Sequence, residues 1–564
     1  MVRRVLLLAV AAAVFAAPAD AQRALLMPGV SYEREVAFTT HGPVVLHVLR
    51  APRPGGLYAL KPVLSNDVIL GRERVTQIQR RLTTSATVAG VNGDMFAWAD
   101  GRPSGLLLIN GVLAAPPNAD RSSTGIAADG SLVIDRVKLN GTWQGTGQRR
   151  PLLLNRAPAS GGVALYTPLW GPTTPPATET VELVLQPFPA AQPGRDLVGV
   201  VAQAKEGGAT PIPPGGAVLV GRGATGAGRI AAEAPLGTNV TVRLILTPDW
   251  SGLPDALGGG PALVREGRPI FRANEVFTLD QLVPRQPRSA VGQAADGSIL
   301  LATVDGRRSG YSVGMTNFEL ALTMARLGAV TANALDGGGS ATMAFEGTLL
   351  NRPSDPGGER AVSESLSILY YGVHAPELPE AVVSPNGDGA GDRQTLTYKL
   401  VRPSTVVAKL VAPDGSEQIV DSGVKTAPGF YRYPWAGPGP EGAWRFLVTA
   451  TDDLSRSSTA ERTFSLNTTL GAVRVRTATV TTRGTLRTAF TLARSAQVRA
   501  RITTASGAAV ASVAPRNLGA GSHTLAWRVR SARAGRYQFR ITAQNEIGAM
   551  TLSAPFNVRR VARR

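Results

Sequence analysis

Apolar and polar residues alternate in short runs along this chain, and the runs are bounded by Gly, Pro, Asn and Asp. Such runs predict strands with one or both faces in a core. In the first two thirds they fall at 44–49 (VVLHVL), 105–110, 131–137, 181–185 and 240–246. Two segments switch to helical spacing. One is 74–82. The other is 317–327, where Phe318, Leu320, Ala321, Met324 and Leu327 lie on or near one face, Thr316 or Asn317 can cap the start, and Gly328 follows the end. Beyond the Pro-rich stretch HAPELPE (374–380) only strands are predicted, at 395–400 and 443–450 and then at 485–492, 498–503, 523–529 and 537–543. GAWRFLVTATDDLS (442–455) and GRYQFRITAQNEIG (535–548) share a Gly, an aromatic and an alternating run before a polar turn, the signature of a tandem repeat. The expected organisation is a mixed-sheet α+β domain over 22–373, a linker over 374–380, and two all-β, immunoglobulin-like sandwiches over 381–466 and 467–564.

Length supports this division, since 564 residues exceed what one core organises and suggest three or four units. The 63 glycines and 41 prolines fit many turns and short strands, and a hydrophobic fraction of 43% argues against wholesale disorder. The first 21 residues, MVRRVLLLAVAAAVFAAPADA, have a basic start, an apolar run and a small-x-small ending. They read as a secretory signal peptide cut after Ala21, with an uncleaved anchor as the alternative. No later run has the length of a membrane helix, so the chain is expected to be secreted or in the cell envelope. There is no cysteine, which excludes thiol catalysis and thiolate metal sites and suits a bacterial exported protein. With four histidines, a His-rich zinc centre is not expected.

The formal charge of +19 is uneven. Residues 467–564 hold 17 arginines and one acid, Glu546, whereas 374–466 hold 9 bases and 11 acids. The basic character therefore belongs to the tail. It suits adhesion to an anionic surface such as a cell-wall polymer, lipid headgroups or acidic polysaccharide, or else serves solubility alone. Nucleic acid is not an expected partner, because the tail lacks interleaved aromatics and a recognisable binding motif. At the entry to the first sandwich, SPNGDGAGD (384–392) sets Asn386, Asp388 and Asp392 on a Gly-rich loop. That makes a candidate calcium loop, without the EF-hand spacing, or a plain Asx-rich turn. No cofactor is otherwise required.

The candidate chemistry lies in polar, Gly-rich motifs of the front domain. In order these are VNGDMF (91–96), GGGP (258–261), PRSAVG (287–292), VDGR (304–307), FELA (318–321), LDGGGSAT (335–342), RPSD (352–355) and ERAVS (359–363). Three glycines behind an acid predict a backbone that approaches something closely or adopts dihedrals barred to other residues, with a plain flexible loop as the alternative. An anion is well held by amides of a glycine nest and by a guanidinium. Gly337, Gly338, Gly339 and Ser340 can form that nest, Ser340 and Thr342 add hydroxyls, and Arg288 or Arg360 supplies the fork.

Taken together and in this order, the motifs resemble the phosphodiester glycosidase family, over roughly 30–373 and most densely from Arg288 to Ser363. A known member removes N-acetylglucosamine from a phosphodiester-linked mannose. The matching positions are Asn92, Gly93, Phe96, Arg288, Val291, Gly292, Asp305, Gly306, Glu319, Asp336 to Ser340, Thr342, Pro353 to Asp355 and Arg360. Ser289 stands where Thr is more usual, and Asp94 where some relatives have Gly. The SPNGDGAGD opening likewise resembles the start of FlgD-like modules. The first resemblance implies an exported hydrolase that breaks a sugar–phosphate diester of exopolysaccharide or cell-wall glycan at the anomeric carbon. The leaving phosphomonoester has a second pKa near about 6, so it needs charge stabilisation more than protonation. A carboxylate must still activate water or support an oxocarbenium-like state, and the candidates are Asp336 first, then Asp305, Glu319 and Asp94. Glu319 could instead hold Arg288 or a loop amide, and Asn92 reads as a substrate or loop hydrogen-bonder. The competing readings are a polysaccharide-binding protein without catalysis and a metal-dependent phosphodiesterase that breaks P–O.

Overall fold

The structure is a computed structural model that describes residues 22–560 apart from 272, 388 and 531. The expected signal peptide, residues 1–21, lies outside the described residues. Strand occupies 52% of the chain and helix 7%, so the protein is mostly β. It divides into two compact units between Tyr371 and Gly372.

In the front unit the sites of interest hang on two sheets. One has eight strands, in the order Gln22–Met27, Val30–Thr39, Gly42–Ala51, Ile299–Val304, Arg288–Ala294, Ala329–Leu335, Ala262–Arg265, Arg268–Pro269. The other has five, in the order Thr348–Leu349, Met343–Phe345, Thr87–Asn92, Glu364–Tyr370, Tyr58–Leu64. Pairing within both is antiparallel. The central strands TVAGVN, ESLSILY, RSAVGQA and ILLATV are buried at every position, and their polar residues are buried with the apolar ones. Met27, Leu49, Val91, Val291, Leu301, Leu335 and Leu366 join the two sheets in one core.

The two predicted helices are present as Val75–Leu82 and Asn317–Arg326. In the second, Thr316 Oγ1 accepts from the Glu319 amide while Glu319 reaches back to the Thr316 amide, a reciprocal cap. Leu320, Ala321 and Met324 of this helix pack on the eight-stranded sheet. A further helix, Gly223–Glu233 (GATGAGRIAAE), was not expected; it buries Gly223, Gly226 and Ile230. It forms because glycine permits close packing. A Cβ on Gly221 would lie 2.4 Å from the Gly226 carbonyl, and one on Gly226 would lie 2.6 Å from that of Gly162.

In the second unit, two sandwiches of seven and eight strands follow one another, and seven strands of each share the same order. The first pairs its short opening strand Val382–Val383 in parallel with the last, Ser457–Leu466, then adds Gly442–Asp452, Ser404–Val411 and Glu417–Lys425, with Gln394–Leu400 and Gly429–Trp435 as the second layer. The other repeats this with Thr479–Thr481, Ala549–Arg559, Gly535–Gln544, Ala496–Thr504 and Ala509–Leu518 over Thr485–Leu492 and Gly521–Arg528, to which Leu470–Val475 is added. The repeat seen in the two Gly–aromatic motifs is thus a repeat of topology. In the 384–392 loop, Asp392 Oδ1 accepts from the Asn386 and Gly387 amides and its Oδ2 from Gly389, at 2.7–2.9 Å. These amides hold its carboxyl below the usual range. Asn386 Nδ2 donates to Thr551 O at 2.8 Å, and Asp388 lies outside the described residues. Asp392 thus ties the backbone of an Asx-rich turn.

Candidate functional site

The two sheets meet at strand ends. Asn92 closes Thr87–Asn92, Asp336 follows Ala329–Leu335, Arg288 and Ser289 open Arg288–Ala294, and Glu364 opens Glu364–Tyr370. Asn92 ties these ends together. Its Oδ1 accepts from Ser289 Oγ at 2.7 Å and from the Thr342 amide at 3.1 Å, and its Nδ2 donates to Asp336 O at 2.8 Å. The Asp336 amide returns a bond to Gly93 O at 3.0 Å. Asn92 is fully buried and acts as the loop hydrogen-bonder that its residue type suggested. Ser289 supplies the hydroxyl that this clamp needs.

The junction opens into a cleft with two lobes, of about 200 and 480 Å³, that share Met95, Phe277, Gln281, Asp336 and Arg360. The glycine triplet, Arg288 and Arg307 line the smaller lobe; Trp98, Arg121 and Asn118 line the larger. Each glycine has its own steric reason. A Cβ on Gly337 would meet the Pro287 carbonyl at 2.8 Å. Gly338 has φ +61° and lies under Arg307 Nη2. A Cβ on Gly339 would sit 2.0 Å from both Arg360 Nη2 and Asp355 Oδ1. The triplet therefore brings backbone against two guanidinium groups. It is a poorer amide nest than expected, because the Gly338 amide donates to Pro287 O and the Ser340 amide to Gly337 O in a 3₁₀ turn.

Three carboxyl groups cluster at the inner end, and their titration is displaced together. Burial pushes Asp336 up to about 6. The nearby Asp94 adds to this, while Ser340, Arg360 and the Gly337 amide oppose it. Asp94 is likewise pushed up to about 6 by burial, against the pull of Arg121, whose Nη2 is 3.6 Å from its Oδ2. Neither Asp94 oxygen has a well-aligned hydrogen-bond partner; the Met95 amide is a weak one. Gly105 and Gly258 make room for this side chain, since a Cβ on either would fall 2.4 or 2.1 Å from Asp94 Oδ2. Glu364 is buried and pushed up to about 8, first by burial and then by the charges of Asp94 and Asp336. Its Oε1 accepts from the Asp94 amide at 2.7 Å, and Ser363 Oγ donates to its Oε2. Three carboxyls so close hold fewer than three charges near neutral pH and titrate as a set.

Other expected residues lie elsewhere or are engaged. Arg288 lines the smaller lobe, and its Nε, Nη1 and Nη2 donate to the carbonyls of Met315, Gln281 and Pro284 at 2.7–2.9 Å, so it also braces three loops. Glu319 caps its helix and pairs with Arg285, and it lines neither lobe. Asp305 also lines neither lobe. It is buried and accepts from His47 or pairs with it at 3.0 Å, from Tyr311 at 2.8 Å, and from Asn351 and the Arg352 amide at 3.0 Å. These partners hold it below the usual carboxylate range against its burial. Thr342 Oγ1 is buried without a partner. Arg360 does reach the cleft. Its Nε and Nη2 pair with Asp355 at 2.7 and 2.9 Å, its Nη1 is 3.4 Å from Ser340 Oγ, and its guanidinium lies 4.9 Å from the Trp98 ring centroid. Glu364, Arg307, Arg121 and Trp98 were not singled out from sequence, although VDGR contains Arg307 and VNGDMF and ERAVS end just before Trp98 and Glu364. Among the described residues no three His, Asp or Glu side chains are grouped to share a metal ion.

Residues 197–369 match the family model described as phosphodiester glycosidase, which takes in Asp336, Arg360 and Glu364 but begins after Asn92 and Asp94. The chain is 39% identical over 119 residues to an uncharacterized SPbeta prophage-derived protein of Bacillus subtilis, YomE, a span of 21% of this chain and 18% of that relative. A hypothetical protein from Synechocystis shares the fold at TM-score 0.53 and 24% identity, over 62% of this chain and 64% of that one. The zebrafish N-acetylglucosamine-1-phosphodiester α-N-acetylglucosaminidase catalytic domain, auto-inhibited by its pro-peptide, aligns at TM-score 0.33 and 14% identity over 62% of this chain and 87% of that one.

Proposed function

We propose that the cleft hydrolyses a sugar-1-phosphodiester at the glycosidic C–O bond, with phosphate as the leaving group, and that the chain is exported to act on exopolysaccharide or cell-wall glycan. The observation that carries this reading is that Asp336 lines both lobes of a cleft in which Arg360 and Arg307 flank the glycine triplet. The family match over 197–369 supports the reaction class. Among the described residues no helix is long and apolar enough to cross a membrane, which is compatible with export.

In this reading the phosphodiester lies against Arg360 and Arg307. Their positive charges take up the charge that grows on the phosphate oxygens as the C–O bond breaks. Asp336, ionised above about pH 6, stands at the anomeric carbon, where it activates water or supports the oxocarbenium-like state. Asp94 and the mostly protonated Glu364 lie behind it. Glu364 fixes the Asp94 amide and sets how much charge the cluster carries. Trp98, 64% exposed at the rim, offers a face to a sugar ring. The C-terminal sandwiches fit the immunoglobulin-like modules that exported enzymes append.

Release of N-acetylglucosamine from a synthetic N-acetylglucosamine-1-phospho-sugar diester by the full chain tests the proposal. Arg360→Ala is expected to lower kcat/KM by about 10²-fold, the usual loss of one charge-stabilising donor. A folded parent that binds the diester without turnover would instead support the binding-protein reading.

A further inference from the structure

The last sandwich carries an arginine face that its fold does not need. Of the 17 arginines after Asn467, Arg494 alone is ion-paired among the described residues, with Glu441 and Glu546. In strand Ala496–Thr504, Ala496, Val498, Ala500 and Ile502 point inward, and Gln497, Arg499 and Arg501 are exposed on the other side. In Gly535–Gln544 the exposed face carries Arg536 and Arg540. The two strands are neighbours, with Arg501 directly opposite Arg540 and Arg499 opposite Thr542. Directly opposed residues have Cβ atoms about 5 Å apart, and like charges there destabilise the pair. The flanking partners, Ser512 opposite Arg501 and Ser553 opposite Arg540, bring hydroxyls and no acid.

The preceding sandwich is an internal control. Aligning its Gly442 with Gly535 puts Leu447 at the place of Arg540 and Ala443 at that of Arg536. The register then puts Lys409 at the place of Arg501 and Val407 at that of Arg499. There the two bases on the face, Lys409 and Arg445, are paired with Glu417 and Glu461. The same strand order thus forms with no unpaired cation on this face, so packing does not explain the arginines.

We infer that this outer face binds a polysaccharide that carries phosphodiester charges, and so holds the enzyme on its polymer. Guanidinium groups bind phosphate bidentately, and Ser, Thr and Gln between them match sugar hydroxyls. A bilayer fits less well, because no large hydrophobic side chain is exposed among the described residues beyond Leu454. The choice of phosphate over other anions rests on the reading of the cleft.

The test is co-sedimentation of the full chain with phosphomannan, with neutral mannan and phosphatidylglycerol vesicles alongside. The triple change Arg499→Ser, Arg501→Ser, Arg540→Ser is compared with a charge-matched triple on the opposite sheet, Arg474→Ser, Arg487→Ser, Arg528→Ser. The expected result is salt-sensitive binding to phosphomannan that the first triple weakens at least tenfold and the second less than threefold. Both triples should keep parental release of sugar from the small soluble diester, which reads the cleft independently of the tail. Equal weakening by both triples, tighter binding to vesicles than to phosphomannan, or no binding by the parent would each overturn the inference.

Discussion

Asp336→Asn is expected to lower kcat for sugar release by about 10³-fold, within the range lost when a positioned acid–base group is removed. KM should change only a few-fold, because in the proposed binding mode Arg360 and Arg307, not this carboxyl, hold the phosphate. The substitution keeps the shape and the Ser340 contact. It removes a charge whose burial is unfavourable, so the thermal midpoint at pH 8 should be equal or higher. Loss of activity without loss of stability is the signature of a catalytic residue. Retention of more than a tenth of kcat would move the chemistry to Asp94 or Glu364. In the parent, activity should rise with pH through about 6, as Asp336 loses its proton.

Glu364→Gln tests the cluster from the other side. The carboxyl is raised from 4.5 to about 8 by burial, with Asp94 and Asp336 adding to the effect. Between these values the folded protein holds a proton that the unfolded chain has released. Stability therefore falls as pH rises through that window. Asp94 and Asp336, raised from 3.8 to about 6, add falls of the same sign in a lower window. Gln does not titrate, and its carbonyl can still accept from the Asp94 amide. The variant should match the parent near pH 4.5 and exceed it increasingly towards pH 8, by about 3 kcal/mol. A tenfold change in proton affinity is worth about 1.4 kcal/mol, and coupling spreads part of the effect over the three carboxyls. Denaturant unfolding at several pH values reads this directly. A variant less stable than the parent at pH 8 would mean that Glu364 is held ionised.

Asp336 and its glycines drew attention from the sequence because several polar, Gly-rich motifs occur together in one domain, not because the triplet alone is telling. The reason for the glycines was not legible. The nest reading looked for free amides, whereas Gly339 is small because the Arg360–Asp355 pair lies on it. Glu364 escaped notice because ESLSILY reads as the start of a core strand. What makes it chemical is its burial beside Asp94, 270 residues away in sequence. The bracing by Arg288 was not legible: carbonyls at 281, 284 and 315 take three of its donors, and no local pattern encodes their convergence. Glu319 was legible as a cap from T-N-F-E, where the side-chain hydrogen bonds are local. The helix Gly223–Glu233 was hidden by glycines that serve close packing.

The most direct measurement is hydrolysis of the N-acetylglucosamine-1-phospho-sugar diester in ¹⁸O-water, with mass analysis of both products at early time. Attack at the anomeric carbon predicts label in the released sugar and none in the phosphate. Label in the phosphate would contradict the account, since it would mean that the cleft breaks P–O.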